Sequence, residues 1–154
     1  MSANFFNIAK RISCLINVLG FSTPSSSACV ISSAGDFFLS SSTLDDAAGE
    51  AFDKGAKILC LNYPGGVEID RLAKEGDKNF HSFPIASLES SLDFSFSGLK
   101  TSLKYYVGKK DNWKAHINHI ASSYQESIVT SLLRNTEKAS IKFNAKNILF
   151  AGGV

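Results

Sequence analysis

The feature that most constrains this sequence is a helical repeat of apolar residues in its last third. From Trp113 to Lys142, apolar side chains recur at intervals of three and four residues, which places them along one side of an α-helix. They are Ile117, Ile120, Ala121, Tyr124, Ile128, Leu132 and Leu133. The pattern therefore predicts one long helix with this side buried. With 154 residues, of which 44% are hydrophobic, the chain is long enough for one domain with a core.

Shorter segments before and after this helix carry strand and helix patterns of their own. Helix starts are indicated by hydroxyl side chains that can cap the first turn, at Thr43 and at Ser97. Asp46 is placed to complete a capping box with Thr43. The predicted elements are a β-hairpin with strands 29–31 and 37–39, a helix after Thr43 with the apolar stripe Ala48, Phe52, Ala56 and Leu59, a helix over about 67–74, a helix from Ser97 to Val107, and a strand in 146–150.

Composition and charge exclude several classes of protein. Charged residues make up only 19% of the chain and twelve phenylalanines are present, which excludes an intrinsically disordered chain. The net charge of +2 is too small to indicate nucleic-acid or membrane binding by itself. Cys14, Cys29 and Cys60 lie far apart, so neither a disulfide framework nor a zinc site is indicated, and a reducing compartment fits best.

Residues 1–27 form a leader that no motif places. The apolar run 12–21 is ten residues long, too short to span a bilayer as a helix. It could be the centre of a secretory signal, and the acid-free, serine-rich leader could be an organellar transit segment. We favour a third interpretation, a helix that packs on the domain, because two basic residues are few for either targeting class. The expected location is then cytoplasmic, without a membrane partner.

Four carboxylates crowd into the segment 42–54, STLDDAAGEAFDK, and three of them share one helix face. Periodicity alone favours a solvated face, in which Glu50 pairs with Lys54 and Asp53 pairs with Lys57. The following turn, with Pro64 and two glycines ahead of a helix, could present backbone amides to an anionic or polyhydroxyl ligand. A plain turn is the more common meaning of such a pattern.

The second half of the chain holds two further candidates. His116 and His119 lie three residues apart on a predicted helix and could share a metal, but no third ligand lies nearby in sequence. A basic stretch runs beside three aromatic residues and could contact phosphates, although a solvated face is favoured. Its lysines are Lys100, Lys104, Lys109, Lys110 and Lys114, and its aromatics are Tyr105, Tyr106 and Trp113.

Five motifs, taken together in their order and spacing, point to a known family. STLDDAAGEAFDK, YPGGVEIDRLAKEG, FSFSGLKT, IASSYQESIV and AGGV closely resemble the tRNA threonylcarbamoyladenosine transferase family, called TsaD in bacteria. The resemblance covers about 28–154. It implies an α/β fold, namely part of the second lobe of the two-lobed fold shared by actin, Hsp70 and sugar kinases, with a helical insertion. It also implies transfer of a threonylcarbamoyl group from threonylcarbamoyl adenylate to the adenosine beside the anticodon of tRNA.

The resemblance also implies three substrate-binding residues, Asp53, Gly66 and Asp70. A carboxylate can accept hydrogen bonds from ribose hydroxyls, and a glycine lets a nucleoside lie against bare backbone. We therefore expect these three residues to converge on one pocket, while Asp45 and Asp46 cap the helix. The catalytic residues are not identified by the motifs.

Departures from the family pattern concern the metal and the first lobe. The family binds iron through paired histidines in an HxxxH motif, and neither His116 nor His119 aligns with them. The loop that contacts the adenylate is expected near Ala28, where STPSSSA stands instead.

The expected partners are tRNA, the adenylate, related family subunits and a small ATPase. Two interpretations follow: a piece of a transferase that is inactive alone, or a non-catalytic remnant that acts as an interaction module.

Overall fold

In the computed structural model, the described residues are 28–31, 37–39, 48–85, 95–144 and 147–150. The elements in chain order are β1 (Ala28–Ile31), β2 (Phe37–Leu39), α1 (Ala48–Ile58), α2 (Gly65–Ala73), α3 (Ser97–Lys109), a 3-10 turn (Trp113–His116), α4 (Ile117–Lys142) and β3 (Asn147–Phe150). The predictions for the leader, the Thr43 cap, Asp45 and Asp46 concern residues outside these ranges.

The three strands form one antiparallel sheet in the order β2-β1-β3. Val30 of β1 lies opposite Phe38 on one side and Ile148 on the other, so both neighbours run against β1. The predicted hairpin strands and the predicted C-terminal strand are therefore paired with each other. The predicted class is an α/β lobe with a helical insertion, whereas the described residues are mostly helical. The α/β class accordingly stays a prediction.

The helices differ from their predicted bounds at several ends. α2 begins at Gly65, two residues early, and α3 begins at Ser97 with Phe96 in the N-cap position, so the predicted Ser97 cap is wrong. α3 continues to Lys109, two residues past the predicted end. The predicted helix over 113–142 is divided, because His116 has φ −114° and ψ 19°, outside the helical range. The α-helix proper starts after it.

The core lies where α1, α2 and α4 pack together. The predicted stripe on α1 is confirmed, since Ala48, Phe52, Ala56 and Leu59 are all buried. α4 contributes Ile120, Ala121, Tyr124 and Ile128, each fully buried, as its apolar periodicity predicted. Leu132 is only partly buried against this cluster. None of the helices in the described segments is long and apolar enough to cross a membrane.

Tyr124 joins α4 to α1 at the centre of the core. Its hydroxyl donates a 2.8 Å hydrogen bond to the carbonyl of Ala51, and its ring packs edge-on against Phe83. Burial raises the pKa of Tyr124 above its usual range, because the charged phenolate would be desolvated. Gly55 makes the contact possible, since a Cβ there would lie 2.5 Å from the tyrosine ring. The core thereby fixes α1, which carries the first of the predicted site residues.

Candidate functional site at the start of α2

Asp53 caps α2 from the neighbouring helix. Its Oδ1 accepts a 2.8 Å hydrogen bond from the backbone N–H of Gly65, the first residue of α2. The N-cap residue itself, Pro64, offers no capping side chain. The carboxylate thus satisfies one of the N–H groups that a helix start leaves unpaired, and its negative charge lies at the positive end of the helix. Among the described residues, Asp53 does not form the predicted ion pair with Lys57. The predicted pair between Glu50 and Lys54 is confirmed, with a distance of 2.9 Å.

Gly65 is required by the packing of α1 against α2. It is buried, and a Cβ on it would lie 2.6 Å from the Cα of Asp53 and 2.7 Å from the Cβ of Ala56. Atoms of the Asp53 backbone cannot move away from a methyl group without shifting α1 itself. The first glycine of the turn therefore has a structural explanation within the protein.

Gly66 differs from its neighbour in this respect. It is half-buried, and a Cβ there would lie 3.8 Å from the Cβ of Phe52, an ordinary van der Waals distance. The surrounding protein leaves room for a methyl group at this position. Packing among the described residues therefore gives no reason for a glycine here, and its bare backbone is open to a ligand.

Asp70 lies one turn beyond Gly66 on α2, so the two residues share a face. Its carboxylate forms a 2.8 Å ion pair with Lys74 and accepts a 3.4 Å hydrogen bond from the side chain of Gln125 on α4. Half of its side-chain surface is exposed. The structure therefore places Asp53 at the start of α2, with Gly66 and Asp70 following along the same helix. Their convergence on one ligand stays a prediction.

A cavity of about 370 Å³ opens beside Asp53. Its lining includes Lys54, Lys57, Asn62, Tyr63 and Gly65, but neither Gly66 nor Asp70. The ring of Tyr63 is 84% exposed. The cavity thus combines a carboxylate, two ammonium groups, an amide and an open aromatic face. The carboxylate matches the hydroxyls of a nucleotide, the ammonium groups match its phosphate, and the aromatic face matches its base.

The two histidines of the 3-10 turn and α4 do not form a metal site. Their ring centroids lie 6.2 Å apart, and the ring of Phe80 stacks on both, at 5.3 Å from His116 and 5.1 Å from His119. The Nδ1 atom of His119 accepts a 3.0 Å hydrogen bond from the backbone N–H of Asp77. In the part of the chain that the structure describes, no three His, Cys, Asp or Glu side chains come together as a metal-binding group. The described residues do not fit the iron that the resemblance implies.

Sequence reasoning missed the two interactions that build this site. The Asp53–Gly65 bond joins residues twelve apart, and the Gln125–Asp70 bond joins residues 55 apart. Local periodicity places Asp53 on a charged face, where an ion pair with Lys57 is the natural expectation. The available signal was the absence of a capping side chain at Pro64, which implies that the start of α2 needs a partner from elsewhere.

Comparisons with known proteins agree on one family. The chain matches the family model described as tRNA N6-adenosine threonylcarbamoyltransferase, TsaD, over residues 19–154. A relative of that name from Syntrophus aciditrophicus (strain SB) is 52% identical over 122 residues, which is 78% of this chain and 36% of the relative. Another, from Thermosipho africanus (strain TCF52B), is 52% identical over 113 residues, or 73% and 34% of the two chains. The chain therefore spans about a third of the length of the curated relatives it matches.

Proposed function

The chain belongs to the tRNA N6-adenosine threonylcarbamoyltransferase family, and we propose that it supplies the nucleotide-binding part of such an enzyme. The resemblance seen in the five motifs is thereby confirmed. The reaction we propose is threonylcarbamoyl transfer to adenosine in tRNA, with threonylcarbamoyl adenylate as the donor. Because the chain covers about a third of its relatives, we propose that it acts together with the remaining parts of the enzyme. In this view it is a piece of the second lobe of the two-lobed fold.

The observation that carries the proposal is the difference between the two glycines at the start of α2. Gly65 is explained by the contact with Asp53, whereas nothing in the described packing explains Gly66. A ligand that approaches the backbone of Gly66 would explain it. The Asp53 carboxylate lies at the start of the same helix, with Oδ1 engaged by the Gly65 N–H, and Oδ2 is the oxygen we assign to a ribose hydroxyl. The capping bond holds this carboxylate in one orientation before any substrate binds.

Two lysines of α1 complete the proposed nucleotide site. Lys54 and Lys57 line the cavity next to Asp53, so we assign them to the adenylate phosphate. Lys54 also pairs with Glu50 at 2.9 Å. Tyr63, whose ring is exposed at the rim, is assigned to the base. Each assignment uses a group whose chemistry matches one part of an adenylate.

Other components of the reaction are assigned outside the described residues. Iron would act as a Lewis acid at the transferred group in the family, but the histidines of α4 and its preceding turn do not fit it. We propose that the metal ligands, the related family subunits and the small ATPase belong to the remainder of the assembly. The chain's own residues bind and orient the nucleotide.

Binding of AMP to the full 154-residue chain tests the proposal directly. We expect measurable binding by titration calorimetry and a loss of about tenfold in affinity for Asp53→Asn, because an uncharged amide is a weaker acceptor than a carboxylate. The asparagine keeps an oxygen for the Gly65 N–H, so the cap and the fold are retained. Lys138→Ala, a charge change on α4, is the matched control and leaves affinity unchanged. Binding that Asp53→Asn does not weaken contradicts the proposal and favours the interaction-module interpretation.

A further inference from the structure

We propose that a second cavity, between residues 80–82 and α3, binds a base and its phosphate from a single-stranded segment of RNA. The proposal rests on the proposed function, which makes RNA the substrate. The cavity measures about 550 Å³, room enough for a nucleotide. Its lining includes Phe80, His81, Tyr105, Tyr106, Lys109 and Lys110. It shares no residue with the cavity beside Asp53, so it is a separate site.

Two large aromatic side chains are exposed at this cavity. Phe80 is 39% exposed and Tyr105 is 62% exposed. Exposed aromatic rings are the surfaces on which unpaired bases stack, and stacking tolerates any base. The chain thus presents a platform suited to an unstacked nucleotide rather than to a closed duplex.

The platform is held in place before a ligand arrives. Phe80 stacks on His116 and His119, at 5.3 Å and 5.1 Å between centroids. His119 is itself fixed by the hydrogen bond that Nδ1 accepts from the backbone of Asp77. Little side-chain freedom therefore remains to be lost when a base stacks on Phe80. The two histidines thereby have a role that requires no metal.

Positive charge lies where a phosphate would follow the base. The Lys109 ammonium group sits 4.2 Å from the centroid of the Tyr105 ring, and Lys110 follows it at the end of α3. The described residues that line this cavity include no carboxylate. A cation above an exposed ring is the combination found in grooves that track single strands. The charge favours an RNA strand over an uncharged peptide as the occupant.

The inner wall of the cavity is neutral and aromatic. His81 packs against Phe83 and Tyr106, each at 4.5 Å between centroids, and its backbone N–H donates to the hydroxyl of Ser123. Burial lowers the pKa of His81, because the charged imidazolium would be partly desolvated. A base entering the cavity therefore meets stacked rings inside and ammonium groups outside.

Fluorescence anisotropy with a fluorescein-labelled oligouridylate tests this site on the full chain, with an RNA duplex of equal length in parallel. We expect the single strand to bind more tightly than the duplex. Tyr105→Ala should weaken single-strand binding by about tenfold, in the range measured for loss of one stacked base. Lys109→Ala should reduce the slope of log affinity against log salt by about 0.7, as for one phosphate contact.

The matched control is Lys142→Ala, which removes the same charge from another lysine that lies over an aromatic ring, here 5.7 Å from Phe143. It should change single-strand affinity by less than about twofold, since it lies outside the cavity. Equal loss from Lys109→Ala and Lys142→Ala, or tighter binding of the duplex, would overturn the proposal. So would an unchanged affinity in a Tyr105→Ala variant that retains its circular dichroism spectrum.

The outcome separates this site from the nucleotide site. Asp53→Asn should leave oligouridylate binding unchanged, and Tyr105→Ala should leave AMP binding unchanged, because the two cavities have no lining residue in common. If the unmodified chain fails to bind AMP but still prefers the single strand to the duplex, only the proposed function is refuted. If it binds AMP but does not prefer the single strand, only the RNA site is refuted. A protein partner could compete with oligouridylate only by occupying the same cavity. Direct binding of oligouridylate is therefore the measurement that decides the proposal.

Discussion

Alanine placed at each of the two glycines in turn separates a structural position from a ligand-binding one. At Gly65 the new Cβ would lie 2.6 Å from the Asp53 Cα and 2.7 Å from the Ala56 Cβ, far inside contact distance. α1 and α2 would have to move apart, which costs about 1–3 kcal/mol as overpacking. The shift would also weaken the 2.8 Å capping bond, for about 1 kcal/mol more. We expect Gly65→Ala to lower the free energy of unfolding by about 2–4 kcal/mol in total.

At Gly66 the same substitution meets Phe52 at 3.8 Å, an ordinary contact. Alanine has the higher helix propensity, so Gly66→Ala should leave stability unchanged or raise it by up to about 1 kcal/mol. Urea denaturation followed by circular dichroism measures both changes. AMP titration should then show at least about tenfold weaker binding to the stable Gly66→Ala protein. A Gly66→Ala protein that is destabilised as much as Gly65→Ala, or one that is stable and binds AMP normally, would contradict a ligand-binding role for Gly66.

Further substitutions test the core and the pH response. Cys60, just after α1, has φ 56°, a backbone conformation that is strained for a residue with a side chain. Cys60→Gly should therefore raise the free energy of unfolding by about 1 kcal/mol. A free energy of unfolding below that of the unmodified chain in urea denaturation would contradict this strain. Tyr124→Phe removes the buried bond to the Ala51 carbonyl and should cost about 1–3 kcal/mol; a change under about 0.5 kcal/mol would show that the bond contributes little. Because burial lowers the pKa of His81, the unfolded chain binds the proton more tightly, so stability should be constant above the ordinary value of 6.5 and fall as pH drops below it. His81→Asn should flatten that dependence, and a wild-type profile that rises on acidification would contradict it.

The features that depend on residues close in sequence were predicted correctly from the spacing of side chains. The stripe of Ala48, Phe52 and Ala56 follows from helical spacing, and all three are buried. The Glu50–Lys54 pair follows from the same spacing. The prediction was wrong at the start of the long helix, where Trp113–His116 form a 3-10 turn and His116 has non-helical backbone angles. The apolar spacing does not record this change, because it continues from Trp113 to Ile117, both of which are partly buried against the core.

The candidate site depends on contacts between distant parts of the chain, and these could not be predicted from spacing. From spacing alone, Asp53 lies on a solvent-exposed face of α1. Its hydrogen bond to the Gly65 N–H forms only because α2 packs against α1. Asp70 meets Gln125 only because α2 packs on α4. The family resemblance selected Asp53, Gly66 and Asp70, but it did not distinguish the structural role of Gly65 from the open backbone of Gly66. That distinction needs coordinates for the neighbouring atoms.

Formation of threonylcarbamoyladenosine in tRNA tests the central claim most directly. The chain would be combined with the Syntrophus aciditrophicus relative from which the segment aligned with this chain has been removed. In a reaction that also contains iron, the related family subunits, the small ATPase and the adenylate, mass spectrometry of the tRNA nucleosides should show the modified adenosine only when both polypeptides are present, and Asp53→Asn should reduce its yield. Modification by the truncated relative alone, or equal yield with Asp53→Asn, would contradict the claim that this chain supplies the nucleotide-binding part of the enzyme.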